Sequence, residues 1–223
     1  QFLADMQPYM LNFLENHDEQ RFASDFFGKD AHNTFAPLYV SLFLNTAPFM
    51  IYFGEEVGEK GMYEEGFSGK DGRTTIFDWW SVGSVRRLRK VIESGAYKSM
   101  DVKELTKAGL KKEEAEVFVR FAEAIRFASE DLAITKGTTY DLCYCNLSSD
   151  GFDKNRHFAF LRDFEDHTVL VASNFSNREV TMKLVIPEHA FEWMEIPITE
   201  EMHPGKIIEV KVGPMDGQKV VLI

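Results

Sequence analysis

Two short apolar runs, each stopping abruptly at polar residues, constrain this chain more than any other feature. Tyr9-Met10-Leu11-Asn12-Phe13-Leu14 leads into Glu15-Asn16-His17-Asp18, and Phe49-Met50-Ile51-Tyr52-Phe53 stops at Gly54-Glu55-Glu56. Near-continuous apolar runs of this length predict strands buried on both faces. Between them, Thr34 to Leu44 is apolar and long enough for a buried helix, and Pro48 separates it from the second run. Strand, helix and strand within about 45 residues predict a βαβ unit with parallel strands. In an α/β barrel such strands deliver their polar termini to the carboxyl-end face, where chemistry is done.

Gly58 to Asp78 reads as a loop, with glycines at 58, 61, 66, 69 and 72; loops this long are functional or mobile. Ser84 to Glu93 predicts a short helix. Lys112 to Ala128 predicts a long one, because Val117, Phe118, Phe121, Ile125 and Ala128 form a single apolar stripe. From Gly137 the pattern changes to short strands at Tyr140–Cys145, His157–Asp163, Thr168–Asn174, Val180–Ile186, Ile207–Val212 and Lys219–Ile223. Turn residues separate them, as in an antiparallel sandwich. The expected organisation is α/β over residues 1–136 and all-β over residues 137–223.

Hydrophobic residues make up 44% of the 223 positions and include 20 Phe, so a core is easily supplied. The formal charge of −11 disfavours nucleic acid or an anionic membrane as partner, since both need clustered Lys and Arg. Neutral carbohydrate is compatible with it. Cys143 and Cys145 sit two apart in a strand-like run, on one face, where a mutual disulfide would be strained; both are read as free. Leu38 to Phe53 is too short and too interrupted to span a bilayer. A chain starting at Gln1 rather than Met implies processing or omitted upstream residues, so localisation is not readable.

Asn16-His17-Asp18 at a strand end has an ordinary explanation, since Asn and Asp favour turns and caps and His can be hydrogen-bonded filler. Its surroundings point to chemistry. The α-amylase family of glycoside hydrolases carries a Phe-x-x-Asn-His-Asp pattern at the end of its seventh barrel strand, and Phe13, Asn16, His17 and Asp18 resemble it, as does Arg21. The eighth-strand pattern, roughly Gly-x-Pro-x-x-Tyr-Tyr-Gly-Asp-Glu, is matched by Tyr52, Gly54 and Glu56. Ala47, Phe53 and Glu55 replace its Gly, second Tyr and Asp, and Pro48 comes one residue early. His157 to Ser176 resembles the first strands of the family's C-terminal domain. The resemblance covers essentially the whole chain.

It implies the last two βα units of a (β/α)8 TIM barrel followed by an antiparallel β-sandwich. Asp18 is then the carboxylate that stabilises the transition state through ring hydroxyls of the reacting glucose. His17 contacts the same sugar, and Asn16 positions the loop. Arg21, Glu55 and Glu56 are read as structural, and Tyr52 and Phe53 as core. The nucleophile and general acid of the family lie on strands four and five, in contexts absent downstream of Gln1, so the chain alone is expected to be inactive. Trp79 follows a Gly72-Arg73 that is similar to a Gly-Arg-x-Pro-x-x-Trp region of oligosaccharide-acting relatives, with Thr75 for Pro. Lining a sugar subsite and burial under the loop are equally compatible with it.

The implied partner is an α-glucan or maltooligosaccharide, with no cofactor and no metal from these residues. Two strands cannot close a barrel, so exposed strand edges are expected to drive self-association. The competing class is a non-catalytic carbohydrate-binding or interaction module of the same architecture. Arg86, Arg87, Arg89 and Lys90 read as a solvated face. Asn146-Leu147-Ser148 and Asn174-Phe175-Ser176 fit glycosylation sequons. His32, His157, His167, His189 and His203 lack metal-ligand spacing.

Overall fold

A computed structural model describes residues 5–61 and 70–223, the Trp79 side chain excepted. The chain combines α-helices with antiparallel sheets. In order it forms β1 (Asn12–Phe13), α1 (Phe35–Phe43), β2 (Phe49–Met50), α2 (Gly83–Ser94), α3 (Val102–Ala108), α4 (Lys112–Glu130), α5 (Leu132–Thr135), β3 (Thr138–Asp141), β4 (His157–Phe164), β5 (His167–Asn174), β6 (Val180–Val185), α6 (Glu188–Met194), β7 (Ile207–Val212) and β8 (Asp216–Val221). These elements divide into two compact units. One comprises the residues up to Asn12, Phe35–Phe49 and Phe127–Ile223; the other comprises Phe13–Thr34 and Met50–Arg126.

In the first unit β3, β4, β5 and β8 form a four-stranded sheet in that order, every pair antiparallel. β6 and β7 form a separate antiparallel pair. Ala159, Leu161, Leu170 and Ala172 of the larger sheet share one core with Met182, Leu184, Val210 and Val212 of the smaller and with Ala190, Phe191 and Met194 of α6. β4 and β5 are buried almost without alternation, because α1 packs on β5 and β8. A sheet covered on both faces reads as a continuous apolar run rather than an alternating one. Gly217 permits that approach: a Cβ there would lie 2.3 Å from the Tyr39 ring.

Arg162, fully buried, ties these pieces together. Its Nε donates to Ala133 O (3.1 Å) and its Nη2 to Ile134 O (2.8 Å). Its Nη1 donates to Leu44 O (3.0 Å), just past α1, and to Thr139 Oγ1 (2.5 Å) on β3. The guanidinium thus caps carbonyls at the ends of two helices, the groups a helix leaves unpaired. Burial lowers its pKa to about 10. Asp131 caps the other end of α5 through Ile134 N (3.2 Å) and meets His167 Nε2 at 2.8 Å.

Several expectations need correction. Of the run Tyr9–Leu14 only Asn12–Phe13 forms a strand; Gln7–Tyr9 is a 3-10 turn and Tyr9 is 86% exposed. Among the described residues β1 pairs with β2 alone, and with Asn12 half-buried and Phe13 41% exposed it is not covered on both faces. Phe49–Phe53 likewise shortens to Phe49–Met50. Cys143 and Cys145 lie in a turn after β3 rather than on a strand. Both are free, and burial pushes the Cys143 thiol up to about 12. Arg87 is not a solvated side chain, since it holds Glu114 in a bidentate pair, Nε to Oε2 2.8 Å. Both sequon asparagines are fully buried: Asn146 Nδ2 donates to Leu142 O and Val185 O, and Asn174 Nδ2 to Arg178 O and Gly213 O. Neither amide is open to a transferase in the folded chain.

Helices α3 and α6 were not expected. Asp101 caps α3 by accepting from Glu104 N at 3.0 Å, and α6 follows Pro187 with one buried face. Among the described residues no helix is long and apolar enough to cross a membrane. Arg162→Ala is expected to strand several buried carbonyls and to lower stability by about 3 kcal/mol, at roughly 1–3 kcal/mol per buried group left unsatisfied. The urea midpoint of the sheet transition measures it, and an unchanged midpoint would refute the anchoring role.

Candidate active site

The second unit holds the polar termini of both apolar runs. Asn16 Oδ1 accepts from the backbone N–H groups of Asp18 (2.8 Å) and Glu19 (2.9 Å). This side-chain-closed turn is the local structure that Asn favours. It pushes the next two side chains outward: Asp18 is 77% exposed, and His17 Nε2 lies 3.4 Å from Asp18 Oδ2. On either side of this exposed pair the chain turns inward to Glu15 and Arg21, both buried.

Arg21 is fully buried and fully engaged. Nη1 donates to Glu15 Oε2 (2.9 Å), Nε to Thr74 Oγ1 (3.0 Å) and Nη2 to Phe53 O (2.8 Å). Its backbone N–H donates to Gly72 O at 2.7 Å. The guanidinium carbon sits 4.4 Å from the Tyr52 ring centroid and 5.1 Å from that of Phe53. A planar cation against aromatic rings gains from their quadrupoles while its edge makes hydrogen bonds. One side chain therefore fastens the 16–18 turn to the end of the second run and to residues 72–74. Tyr52 Oη adds a bond to Thr74 O (2.7 Å), and Gln20 Nε2 donates to Asp71 O (3.0 Å).

Around this cation lie more buried carboxyls than one positive charge can balance. Glu15 also accepts from Phe22 N at 2.6 Å, yet burial still raises its pKa. Glu55 accepts from Tyr52 N (3.0 Å) through Oε2, and its Oε1 has no hydrogen-bond partner among the described residues. Burial, with the Glu15 charge adding to it, pushes Glu55 up to about 8. Glu59 bonds the Ser84 hydroxyl and is raised by burial as well. Asp78 accepts from Thr75 N (3.0 Å) and Thr75 Oγ1 (2.6 Å). The buried acids hold the frame, while Asp18 is exposed and its charge contributes a small part of the field at Tyr52 and Arg73.

Of the residues singled out in the sequence, Asn16, His17 and Asp18 come together on one turn, joined to Tyr52, Phe53 and Glu55 through Arg21. The Trp79 side chain lies outside the described residues. Glu15, Glu59, Thr74 and Asp78 were missed. Glu15 had a visible signal, a lone acid inside Phe13-Leu14-Glu15 with an Arg six residues on. Among the described residues no group of three or more His, Cys, Asp or Glu side chains is placed to hold a metal.

The fold is that of the α-amylase family of glycoside hydrolases. A debranching enzyme from Nostoc punctiforme, solved after soaking with acarbose, aligns over 98% of this chain with a TM-score of 0.53 and 15% identity. AmyP in complex with maltose aligns over 95% at a TM-score of 0.57 and 11% identity, and an α-amylase from H. orenii over 96% at 0.54 and 16%. The chain spans 34% of the first of these structures and 40% of the other two. At such identities the likeness is one of fold. No family profile and no curated protein sequence matches the chain.

The buried acids predict a pH dependence. A carboxyl whose folded pKa is raised stabilises fully below its unfolded value, about 4.5 for Glu, and that contribution is lost as pH rises through about 8. Glu55→Gln is expected to flatten the fall in stability between those limits, by up to roughly 1.4 kcal/mol for each pH unit. Urea unfolding at pH 5, 7 and 9 tests this, and an identical slope in the variant would sink it.

Proposed function

We propose that this chain is the C-terminal part of an α-amylase-type retaining glycoside hydrolase acting on α-1,4-glucosidic bonds of starch or maltooligosaccharides. On this reading residues 1–136 supply the last two βα units of its (β/α)8 barrel and residues 137–223 its β-sandwich. The observation that carries it is the exposed Asp18–His17 pair, held on an Asn16-closed turn by a buried Arg21, in a fold shared with amylase-family enzymes.

The geometry suits transition-state stabilisation. A glycosidic bond breaks through an oxocarbenium-like state, and hydrogen bonds to ring hydroxyls strengthen as that state forms. Asp18 accepts such bonds, and its charge opposes the developing positive charge. His17 adds a further contact, and Asn16 fixes the backbone that presents both. Trp79 completes the proposed substrate contacts.

Retaining chemistry also needs a nucleophile and a separate general acid, with their carboxyls about 5–5.5 Å apart. Asp18 cannot be both. Glu15, Glu55, Glu59 and Asp78 are buried, and Glu56 Oε2 accepts from Gly54 N at 2.8 Å. Both roles fall to an upstream segment of the parent polypeptide, and the 223-residue chain is inactive on its own. Exposed Tyr9, Met10 and Leu11 in one unit, and Phe13, Ile51 and Phe53 in the other, are surfaces through which it self-associates or meets that segment.

With maltoheptaose the chain alone is expected to show no turnover. The parent polypeptide, encoded in frame upstream of Gln1, is expected to hydrolyse it with retention. Asp18→Asn is expected to lower kcat by roughly two to three orders of magnitude with an unchanged melting temperature. Turnover by the isolated chain, or full kcat in the Asp18→Asn parent, would overturn the reading.

A further inference from the structure

A second aromatic cluster lies far along the sequence, in the unit built on the sheets. Tyr140 on β3 is buried. Its ring centroid lies 6.1 Å from Tyr144, 5.9 Å from His189 and 5.9 Å from Trp193, with interplanar angles of 53°, 41° and 49°. His189 and Trp193 are four residues apart on α6 and so share one helix face. The Tyr140 hydroxyl meets the Tyr144 hydroxyl and lies 3.2 Å from His189 Nδ1. Burial keeps the Tyr140 phenol protonated far above neutrality. The outer rings are open: Tyr144 is 55% exposed, Trp193 53%, and His189 is exposed too.

We propose that Tyr144, His189 and Trp193, arrayed around Tyr140, form a second carbohydrate-binding platform that takes neutral pyranose rings of an α-glucan. The choice of glucan rests on the glycoside hydrolase reading; the platform itself rests on its own geometry. An exposed Trp and an exposed Tyr side by side leave apolar area in water that a folded chain normally covers. The described neighbours meet Tyr140 at an angle rather than stacked flat, and more than half of Tyr144 and of Trp193 is open to solvent. A sugar ring matches such a surface, with C–H groups for the ring faces and hydroxyls for the phenols and the second imidazole nitrogen.

Charge narrows the class further. Glu188, Glu192 and Glu195 are exposed on and beside α6, and the chain carries a formal charge of −11. That field repels the phosphates of a nucleic acid, the other common polymer that stacks on aromatic platforms. A neutral polymer incurs no such repulsion.

The test is affinity electrophoresis of the 223-residue chain in gels containing soluble starch, with maltoheptaose titrated by 1H–15N NMR. Retardation by starch is expected, and Trp193→Ala or Tyr144→Ala should weaken it about tenfold, near 1.4 kcal/mol. Both platform side chains are exposed, so their removal leaves the core intact, which the NMR spectrum verifies. Retardation unaffected by the Trp193→Ala, Tyr144→Ala double variant would overturn the proposal. So would absence of retardation, including the case where Trp193→Ala abolishes self-association in sedimentation, which would make the face a protein contact. Trp193-dependent binding with an inert parent polypeptide would keep this proposal and sink the hydrolase reading.

Discussion

Everything at the candidate site depends on a charge where water cannot reach it. Arg21 has no exposed surface, and a guanidinium in that position must find acceptors for its donors or the fold loses several kcal/mol. It finds them in Glu15, Thr74 and the Phe53 carbonyl, which come from three separate stretches of chain. Those stretches are held in place because the cation leaves them no alternative partner. The functional consequence lies two residues away: with Glu15 and Arg21 both drawn inward, residues 16 to 18 must bulge outward. Asn16 fixes the shape of the bulge, and His17 and Asp18 ride on it.

The sheet-bearing unit uses the same device with different partners. Arg162 is as deeply buried as Arg21, but the partners of its guanidinium among the described residues are carbonyls and a hydroxyl. Helix-end carbonyls carry partial negative charge, so a cation among them is favourably placed. Burial lowers the Arg162 pKa to about 10, with the Asp131 charge opposing the shift. Arg21 keeps Glu15, the stronger partner, and does so where an exposed polar turn must be held against solvent. Arg162 needs only to staple α1 and α5 to the sheet edge.

The sequence made the periodic parts of this structure readable and hid the parts that depend on distant neighbours. α4 follows from its apolar stripe, and β4, β5, β6 and β7 lie within a residue or two of where apolar patterning places them. α6 was hidden because a seven-residue helix has too few turns to show a period, and its buried Ala190, Phe191 and Met194 look like ordinary loop apolars. Tyr9 to Leu14 misled in the opposite direction. Composition says strand, but a strand requires neighbours, and among the described residues β1 pairs with β2 alone. Within the site, Asn16, His17 and Asp18 were legible as a motif. Thr74 and Asp78 were not, since only the fold brings a polar residue of the long loop beneath Arg21.

The excess of buried acid over buried base bears on how firmly the turn is held. Glu15, Glu55 and Glu59 share the neighbourhood of Arg21, and burial raises the pKa of all three. Were all three ionised, like-charge repulsion around Arg21 would oppose the frame that holds the turn. Keeping Glu55 protonated to about 8 limits that repulsion. The frame that carries the turn is then held by the Arg21 hydrogen bonds to Glu15, Thr74 and the Phe53 carbonyl, with less like-charge repulsion among its acids to oppose them.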